Sequence, residues 1–542
     1  MLYRDDGGIS AEEGKGEEET SNEGAATKKG EWKCLADRCS HRFAPLSEGR
    51  IVKDTTGGCS SCTLQCAYHG WEFSGDGKCI KVPQYDASQP LTDRQASPVP
   101  SYPVRESCGM IWVWSNPDSS TWSLAESITL PISPLVKNSF DKFGPDACFM
   151  RDLPYGMELL GENLLDLAHL PFSHHSVGGL SRNMGADLPL RIMSRQEREE
   201  YAQWERDAQW ERDVPEEDCV VPYAQVEVMN ATRTDPIFQA IAQRFPTGVG
   251  ENATATIAFF DACHVRYRRE RLPGTYGHVE LFMSPTGAGR SRVFLWNTVH
   301  SNPPPLAQDS KKPSIKDRLV KLSPMPAIKK ILLAKLMNPA TTRAHSLSHS
   351  IFDGDGIFLH KQGNRMNGQS LTYRNYSTPS SADVLLNSYR RYLDAAARLA
   401  VKSDGSDVSP TSIGHAAARA ISLDGSGDAY TDSLPRQEML DRYNSHTKHC
   451  RVCSAALARC EKKKNIYETA RTALVGAGGA SAVALLSVLV PGAAISSSIG
   501  RIAGVSVAAS VLGTVGIGKK SRKNDETIKS FYFEDYIHAE KN

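Results

Sequence analysis

An excess of either charge is what this chain most clearly lacks. Its 63 Lys+Arg stand against 62 Asp+Glu, a formal net charge of +1, so no global field draws it toward nucleic acid and no such partner is expected. Cysteine is thin for the length: 13 in 542 residues is too dilute for a disulfide-stapled secreted scaffold, so spacing has to carry the meaning. Near Met1 there is no charged segment leading into an apolar run and no Arg/Ser-rich amphipathic leader, so no targeting peptide is legible. With 40% hydrophobic and 23% charged residues, collagenous, wholly disordered and polytopic membrane classes are excluded. The length suits roughly two to four domains.

The balance conceals uneven segments. Residues 9–30 hold an acidic, Gly/Ser-rich run without apolar period, which cannot bury enough surface to offset its ordering entropy and reads as a disordered insertion. The stretches from Gly109, Thr254, His264 and Val293 read as strands. Helical patterns run over Glu158 to Leu170, Leu319 to Leu336 and Ala382 to Val401. The mixture predicts an α+β protein. Ala-Gln-Trp-Glu-Arg-Asp occurs twice in tandem from Ala202 to Asp213, too short a repeat to be a supersecondary unit. Residues 403–435, rich in Ser, Gly and Asp, read as a linker.

Two compact Cys/His pairs carry the first chemistry: Cys39-Ser-His41 and Cys66-Ala-Tyr-His69. Two thiolates and two imidazoles satisfy tetrahedral zinc, and equally a [2Fe-2S] cluster with thiolates on one iron and imidazoles on the other. Each loop supplying one of each suits the cluster. A second constellation is Glu162-Asn-Leu-Leu-Asp166-Leu-Ala-His169-Leu-Pro-Phe-Ser-His174. Histidines five apart around Pro171 suit a helix end that bends to present both rings to one metal. A carboxylate would complete a 2-His-1-carboxylate triad with positions open for O2 and substrate.

Asp37-Arg-Cys-Ser-His-Arg-Phe-Ala-Pro-Leu-Ser-Glu-Gly and Cys66-Ala-Tyr-His-Gly-Trp-Glu-Phe-Ser-Gly-Asp-Gly resemble the Rieske loops of the pheophorbide a oxygenase family. That family includes the Rieske subunit of the chloroplast inner-envelope translocon and protochlorophyllide-directed oxygenases. The resemblance implies that Cys39 and Cys66 bind one iron and His41 and His69 the other. The 24 residues between His41 and Cys66 exceed the family's usual spacer, and the extra piece from Asp54 to Thr63 brings Cys59 and Cys62 as rival ligands. Neither has a histidine two or three positions on. The strands that normally precede Cys39 are largely missing, Leu2-Tyr-Arg-Asp5 resembling one of them, so the chain is expected to begin inside the Rieske domain.

The same resemblance extends to E-N-x2-D-x2-H-x4-H, which makes His169 and His174 the implied ligands of a mononuclear iron, His175 competing for the second role. Asp166 would link His169 to a cluster histidine of the adjacent subunit, which implies a ring-shaped homo-oligomer, a homotrimer. The carboxylate is implied downstream in Phe352-Asp-Gly-Asp355-Gly-Ile-Phe-Leu-His360, as Asp355, with Asp353 the alternative and an Asp-Gly turn the plain one.

Farther on, His446-Thr-Lys-His-Cys450-Arg-Val-Cys453 contains a C-x2-C that suits a dithiol redox switch, a half zinc site with His446, or neither. It resembles the C-terminal Cys pair of the pheophorbide oxygenase and translocon branch. Residues 473–490 and 502–518 contain no charge and are crowded with Gly, Ala, Ser and Val. At 1.5 Å per residue each spans about 27 Å or slightly less, close to a hydrocarbon core of about 30 Å. Lys462, Lys463 and Lys464 precede the pair and Lys519, Lys520, Arg522 and Lys523 follow it, as in a hairpin with both ends on the positive-inside face.

The expected fold is therefore an all-β Rieske [2Fe-2S] domain over 1–101 and an α+β helix-grip catalytic domain over 102–402. Beyond them lie the linker, a C-x2-C segment over 436–465, a transmembrane helical hairpin over 472–518 and a basic tail over 519–542. The implied activity is oxygenation of a chlorophyll-derived tetrapyrrole by a [2Fe-2S] cluster and mononuclear Fe(II), with ferredoxin-derived electrons and O2, at a chloroplast membrane, the soluble domains facing the stroma. A membrane redox component without turnover, and a zinc-binding structural module, are the rivals.

Overall fold

The computed structural model describes mainly residues 31–54, 61–86, 95–114, 119–127, 130–185, 255–301, 338–399, 433–489 and 497–538, with shorter pieces between them. The insertion at 9–30, the tandem hexapeptide, the pattern from Leu319 to Leu336 and almost all of the linker lie outside the described residues. The chain forms two compact units, one made chiefly of Met1–Phe140 and the other of Asp141–Asp213, Phe238–Arg391 and Ile421–Asn542.

The first unit is built of antiparallel strands up to Val113, with short helices at Trp122–Ser127 and from Pro134. Leu2–Asp5 pairs antiparallel with Glu31–Leu35, which pairs in turn with Ser101–Tyr102. A four-stranded meander follows: Arg50–Asp54, Ser61–Gln65, Glu72–Phe73 and Cys79–Lys81. Alternation along these strands sends Leu35, Leu64 and Phe73 inward onto Leu46, Trp71 and Val99. Asp54 pairs with Ser61, so the extra residues after Asp54 lengthen a hairpin connection and leave both Cys/His loops intact. Cys62 faces the same core, 4% exposed. Gly77 at φ +88° lies so close to Val99 that a Cβ would meet its carbonyl oxygen at 2.0 Å, a backbone approach only glycine permits. The strand expected from Gly109 is Met110–Val113, paired with Val104–Ser107 and half-buried rather than buried. The unit thus extends past residue 101.

The second unit is built on a seven-stranded antiparallel sheet. Its order is Cys148–Leu153, Arg290–Ser301, Thr275–Gly287, His264–Leu272, Ala255–Asp261, Phe238–Ala242 and Leu190–Ile192. Along Cys148–Leu153 burial alternates, placing Phe149, Arg151 and Leu153 inward. Across that face lies the 27-residue helix Thr342–Gly368, started by Thr341, whose hydroxyl accepts the Ala344 N–H. Phe352 of this helix stacks on Phe149. Sheet and gripped helix make the expected α+β helix-grip architecture.

Two long helices, Arg451–Leu489 and Ser497–Tyr532, close the chain. They run antiparallel: Gly478 meets Ser510, Gly513 meets Leu474, the Asn524 amide donates to the Cys460 carbonyl at 2.8 Å, and Lys464 pairs with Asp525 at 3.6 Å. Small residues permit this close approach. By length and composition both helices can cross a membrane, and Val483, Leu486, Val505 and Leu512 point outward, 64–73% exposed. The helices extend well beyond the expected 472–518, because charged turns at both ends continue the hydrogen-bonded ladder.

Candidate metal centres

The two Cys/His loops are near copies in backbone. Cys39 N–H donates to the Ala44 carbonyl and Cys66 N–H to that of Trp71, both at 2.8 Å, while Phe43 and Gly70 N–H groups return to the cysteine carbonyls. The returning residue is left-handed in both, Phe43 at φ +59° and Gly70 at φ +76°. Asp37 anchors the first loop by accepting from the Ser47 N–H at 2.6 Å and its hydroxyl at 2.8 Å. The thiols of Cys39 and Cys66 are buried, 2% exposed each, whereas His41 and His69 stand at the surface edge of the loops, half-buried. Their rings lie 4.6 Å apart, and His41 stacks on Trp71.

This division matches a cluster with a buried thiolate iron and an outward imidazole iron. Burial pushes the Cys39 thiol up to about 11, with Cys66 adding to the effect. His41 is pulled below the usual imidazole value by desolvation and by the charges of His69 and Arg42. Its Nδ1 is buried with no hydrogen-bond partner, an orphan that a bound iron would satisfy. Two buried thiols with two outward imidazoles suit a cluster whose two irons have different ligands.

His169, His174 and Asp355 are such a group. The helical pattern from Glu158 breaks at Asp166, because Met157–Leu165 ends there and Asp166 Oδ1 accepts the Ala168 N–H at 2.7 Å. That Asx turn swings the chain so His169 and His174 flank the one-turn helix Leu170–Ser173, their ring centroids 5.3 Å apart. Asp355 reaches them from the middle of the Thr342–Gly368 helix, not from an Asp-Gly turn. Its Oδ1 is 3.2 Å from His174 Nε2 and 3.6 Å from His169 Nε2, and it accepts from the Ser173 hydroxyl at 3.0 Å. Gly354 makes room, since a Cβ there would stand 3.1 Å from His174 Nδ1.

Electrostatics favour a cation at this point. Burial works to raise the Asp355 carboxyl, yet His174 and His169 hold it below its ordinary value. Burial works to lower His169, and Asp355 and Asp166 raise it nonetheless. His174 is fully buried, and its Nε2, the nitrogen that faces Asp355, has no hydrogen-bond partner, a further orphan that fits a metal centre. Asp166 Oδ2 lies 3.3 Å from His169 Nδ1 with a third of its side chain exposed, which leaves Nε2 facing Asp355.

The alternatives are otherwise engaged. Asp353 is fully buried between two guanidiniums, 2.7 Å from Arg151 Nη2 and 2.6 Å from Arg442 Nη2. His175 Nδ1 accepts the Arg182 N–H at 3.2 Å. Cys59 lies outside the described residues. Cys450 and Cys453 sit apart from the triad, beside His345 and His446.

A cavity of about 490 Å³ opens on the triad, lined by Asn163, Phe172, Phe358, Leu359, Tyr376 and His538 among others. Sequence reasoning did not find its walls. Glu162 pairs with the buried Arg390 and accepts from the Tyr376 hydroxyl at 3.3 Å, and Tyr389 fills the space beside Gly161. The residues after Tyr532 fold back: Tyr536 donates to the Ser173 carbonyl at 2.7 Å and Arg182 to that of His538 at 2.7 Å. These partners lie hundreds of residues apart, and no local pattern announces them.

Comparison with known proteins agrees with this geometry. Residues 20–103 match the Rieske [2Fe-2S] domain family. The chain is 41% identical over 170 residues to pheophorbide a oxygenase of Oryza sativa subsp. japonica, covering 31% of this chain and 30% of that protein. It is 40% identical over 150 residues to protochlorophyllide-dependent translocon component 52 of Arabidopsis thaliana, covering 27% and 25% respectively. To the TIC 55 protein of the same plant it is 25% identical over 466 residues, 82% of this chain and 69% of that protein. The strongest identities thus span less than a third of the relatives' length. All three relatives are described as chloroplastic. The chain thus contains a Rieske [2Fe-2S] domain, and it is similar to pheophorbide a oxygenase and to the chloroplastic translocon proteins named above.

Proposed function

We propose that this protein is a membrane-anchored Rieske-type monooxygenase that oxygenates a chlorophyll-derived tetrapyrrole, taking electrons from ferredoxin or a similar reductase. The observation that carries the reading is the convergence of His169, His174 and Asp355 on one point at the mouth of a cavity of about 490 Å³. That volume falls within the roughly 300–1,000 Å³ typical of organic-ligand pockets. A protein that only passes electrons needs no second site with open positions. Relatives named for pheophorbide a and chlorophyllide a direct the substrate choice to tetrapyrroles.

Cys39, His41, Cys66 and His69 would hold the [2Fe-2S] cluster, and His169, His174 and Asp355 the mononuclear iron. When bound, these groups supply one-electron transfer and O2 activation. The chain's own residues prepare that chemistry. Ser173 holds Asp355 Oδ1 in place. Asp166 Oδ2, 3.3 Å from His169 Nδ1, would hold the proton there and leave the Nε2 lone pair, which now faces Asp355 and the Asn163 amide at 3.4 Å, for the iron. Its exposed edge can accept a second N–H, from a cluster histidine of a neighbouring subunit in a homotrimer. Phe172, Phe358 and Leu359 give the cavity an apolar wall against which an organic substrate can pack.

The two apolar helices would anchor the protein in a chloroplast membrane, inner envelope or thylakoid, with the metal centres on the stromal side. Lysine and arginine at both hairpin ends support that orientation. The test is anaerobic reconstitution with iron and sulfide, reduction, and exposure to O2 with a panel of pheophorbide, chlorophyllide, protochlorophyllide and linear tetrapyrroles. An oxygenated product from one of them supports the reading. Reoxidation of the cluster without product from any of them replaces it with a membrane redox component.

A further inference from the structure

The C-x2-C segment is not an isolated dithiol. His345, His446, Cys450 and Cys453 each turn one ligand atom to a common point, all within 4.8 Å of one another. His345 Nδ1 lies 3.3 Å from Cys450 Sγ and 3.5 Å from Cys453 Sγ. A tetrahedral zinc with Zn–S of about 2.3 Å and Zn–N of about 2.0–2.1 Å requires an S···N edge of about 3.6 Å. The observed edges are within a few tenths of an ångström of that figure.

The protonation pattern agrees. His446 Nδ1 bonds to the Met150 carbonyl at 2.5 Å, so Nδ1 carries the proton and Nε2 the lone pair. That Nε2 is buried and has no hydrogen-bond partner, in a side chain 1% exposed. A ring nitrogen tied to a backbone carbonyl with its other nitrogen turned to sulfur is the arrangement of metal-ligating histidine. His345 is likewise 1% exposed and Cys453 2%, and neither cysteine is in a disulfide. One lone pair on His345 Nδ1 facing two sulfurs is better served by a shared cation than by two S–H donors.

We infer that His345, His446, Cys450 and Cys453 form a closed, structural Cys2His2 zinc site, separate from the iron triad. His345 sits on the Thr342–Gly368 helix that also carries Asp355, and the two cysteines sit at the start of Arg451–Leu489. The ion therefore clips the root of the apolar hairpin to the helix that carries the Asp355 carboxylate. Four protein ligands leave no open position, so the site holds structure and performs no chemistry.

The test uses the full-length chain, purified from zinc-supplemented cells without chelator and analysed for zinc and iron together. One zinc per chain is expected, retained on dialysis, and released when a mercurial titrates the thiols. Cobalt exchanged for it should show the intense visible bands of a tetrahedral ion and thiolate charge transfer. The Cys450→Ser/Cys453→Ser and His345→Ala variants should lose the zinc and keep their iron and the visible circular dichroism of the cluster. If these variants fail to fold, the cobalt spectrum of the parent chain decides. Absence of zinc from the parent, or a reversible Cys450–Cys453 disulfide formed without release of any metal, overturns the proposal.

Discussion

The two neighbouring aspartates of the Thr342–Gly368 helix should separate cleanly by mutation. Asp353 lies between the guanidiniums of Arg151 and Arg442, at 2.7 Å and 2.6 Å, with side-chain exposures of 0%, 3% and 2% respectively. Asp353→Asn removes the charge both arginines face. Arg442 keeps Glu534 at 2.7 Å and the Ser530 carbonyl at 3.0 Å. Among the described residues Arg151 keeps only the long contacts to Ser445 and the His349 carbonyl at 3.3 and 3.4 Å, so the uncompensated charge is chiefly Arg151. Removing one partner of a buried pair costs about 3–5 kcal/mol, and the retained contacts of Arg442 favour the lower end. At about 1.4 °C per kcal/mol for a unit of about 350 residues with an unfolding entropy of about 2.1 cal/mol/K per residue, the melting midpoint should fall by roughly 4 °C, with the mononuclear iron retained. Asp355→Asn should show the reverse: loss of the mononuclear iron with a much smaller shift in melting. Calorimetry beside iron analysis of the two variants measures both. Loss of iron in Asp353→Asn with an unchanged melting midpoint would refute the assignment of the two roles.

Asp166→Asn should retain both metal centres and lower single-turnover rate by about 10–100-fold, the usual effect of losing a carboxylate behind a metal-bound histidine; full turnover with both metals present would remove the bridge. Gly478→Leu should destabilise the detergent-solubilised hairpin, since a Cβ there meets Ser510 at 3.0 Å, whereas Gly516→Leu, with nothing within 4 Å, should not; equal protease resistance of the two variants would contradict the packing. Asp37 is held below the ordinary carboxyl value: burial opposes this, but hydrogen bonds from Ser47 prevail. Because its folded value is depressed, its contribution is complete above the unfolded pKa of about 3.9 and fades as pH falls through the lower folded value. The visible circular dichroism of the cluster should therefore collapse at higher pH in Asp37→Asn than in the parent, and identical acid limbs would show that the Ser47 clamp does not hold the loop.

Local signals carried most of what the sequence revealed. The Cys/His loops and the His169/His174 motif were readable because the residues that the structure brings together there come from short, contiguous words, and the strands from Thr254, His264 and Val293 because alternation has a fixed period. The long helix around Asp355 was not readable: Gly354 and Gly356 look like turn residues, and only the close approach of His174 and Tyr536 explains Gly354. The choice between Asp353 and Asp355 depended on arginines about 200 residues upstream and 90 downstream. His345 escaped notice for the same reason, since the two cysteines beside it lie 105 and 108 residues downstream. The walls of the cavity, and the return of Tyr536 and His538 to it, are products of tertiary packing alone.

The most direct measurement is single turnover of the reduced, iron-loaded chain with isotopically labelled O2 and the tetrapyrrole panel, with product analysed by mass spectrometry. The account predicts an oxygenated tetrapyrrole that carries label from O2, formed by the parent chain and absent from His169→Ala. Label entering only from water, or a cluster that reoxidises while every tetrapyrrole is recovered unchanged, would contradict it.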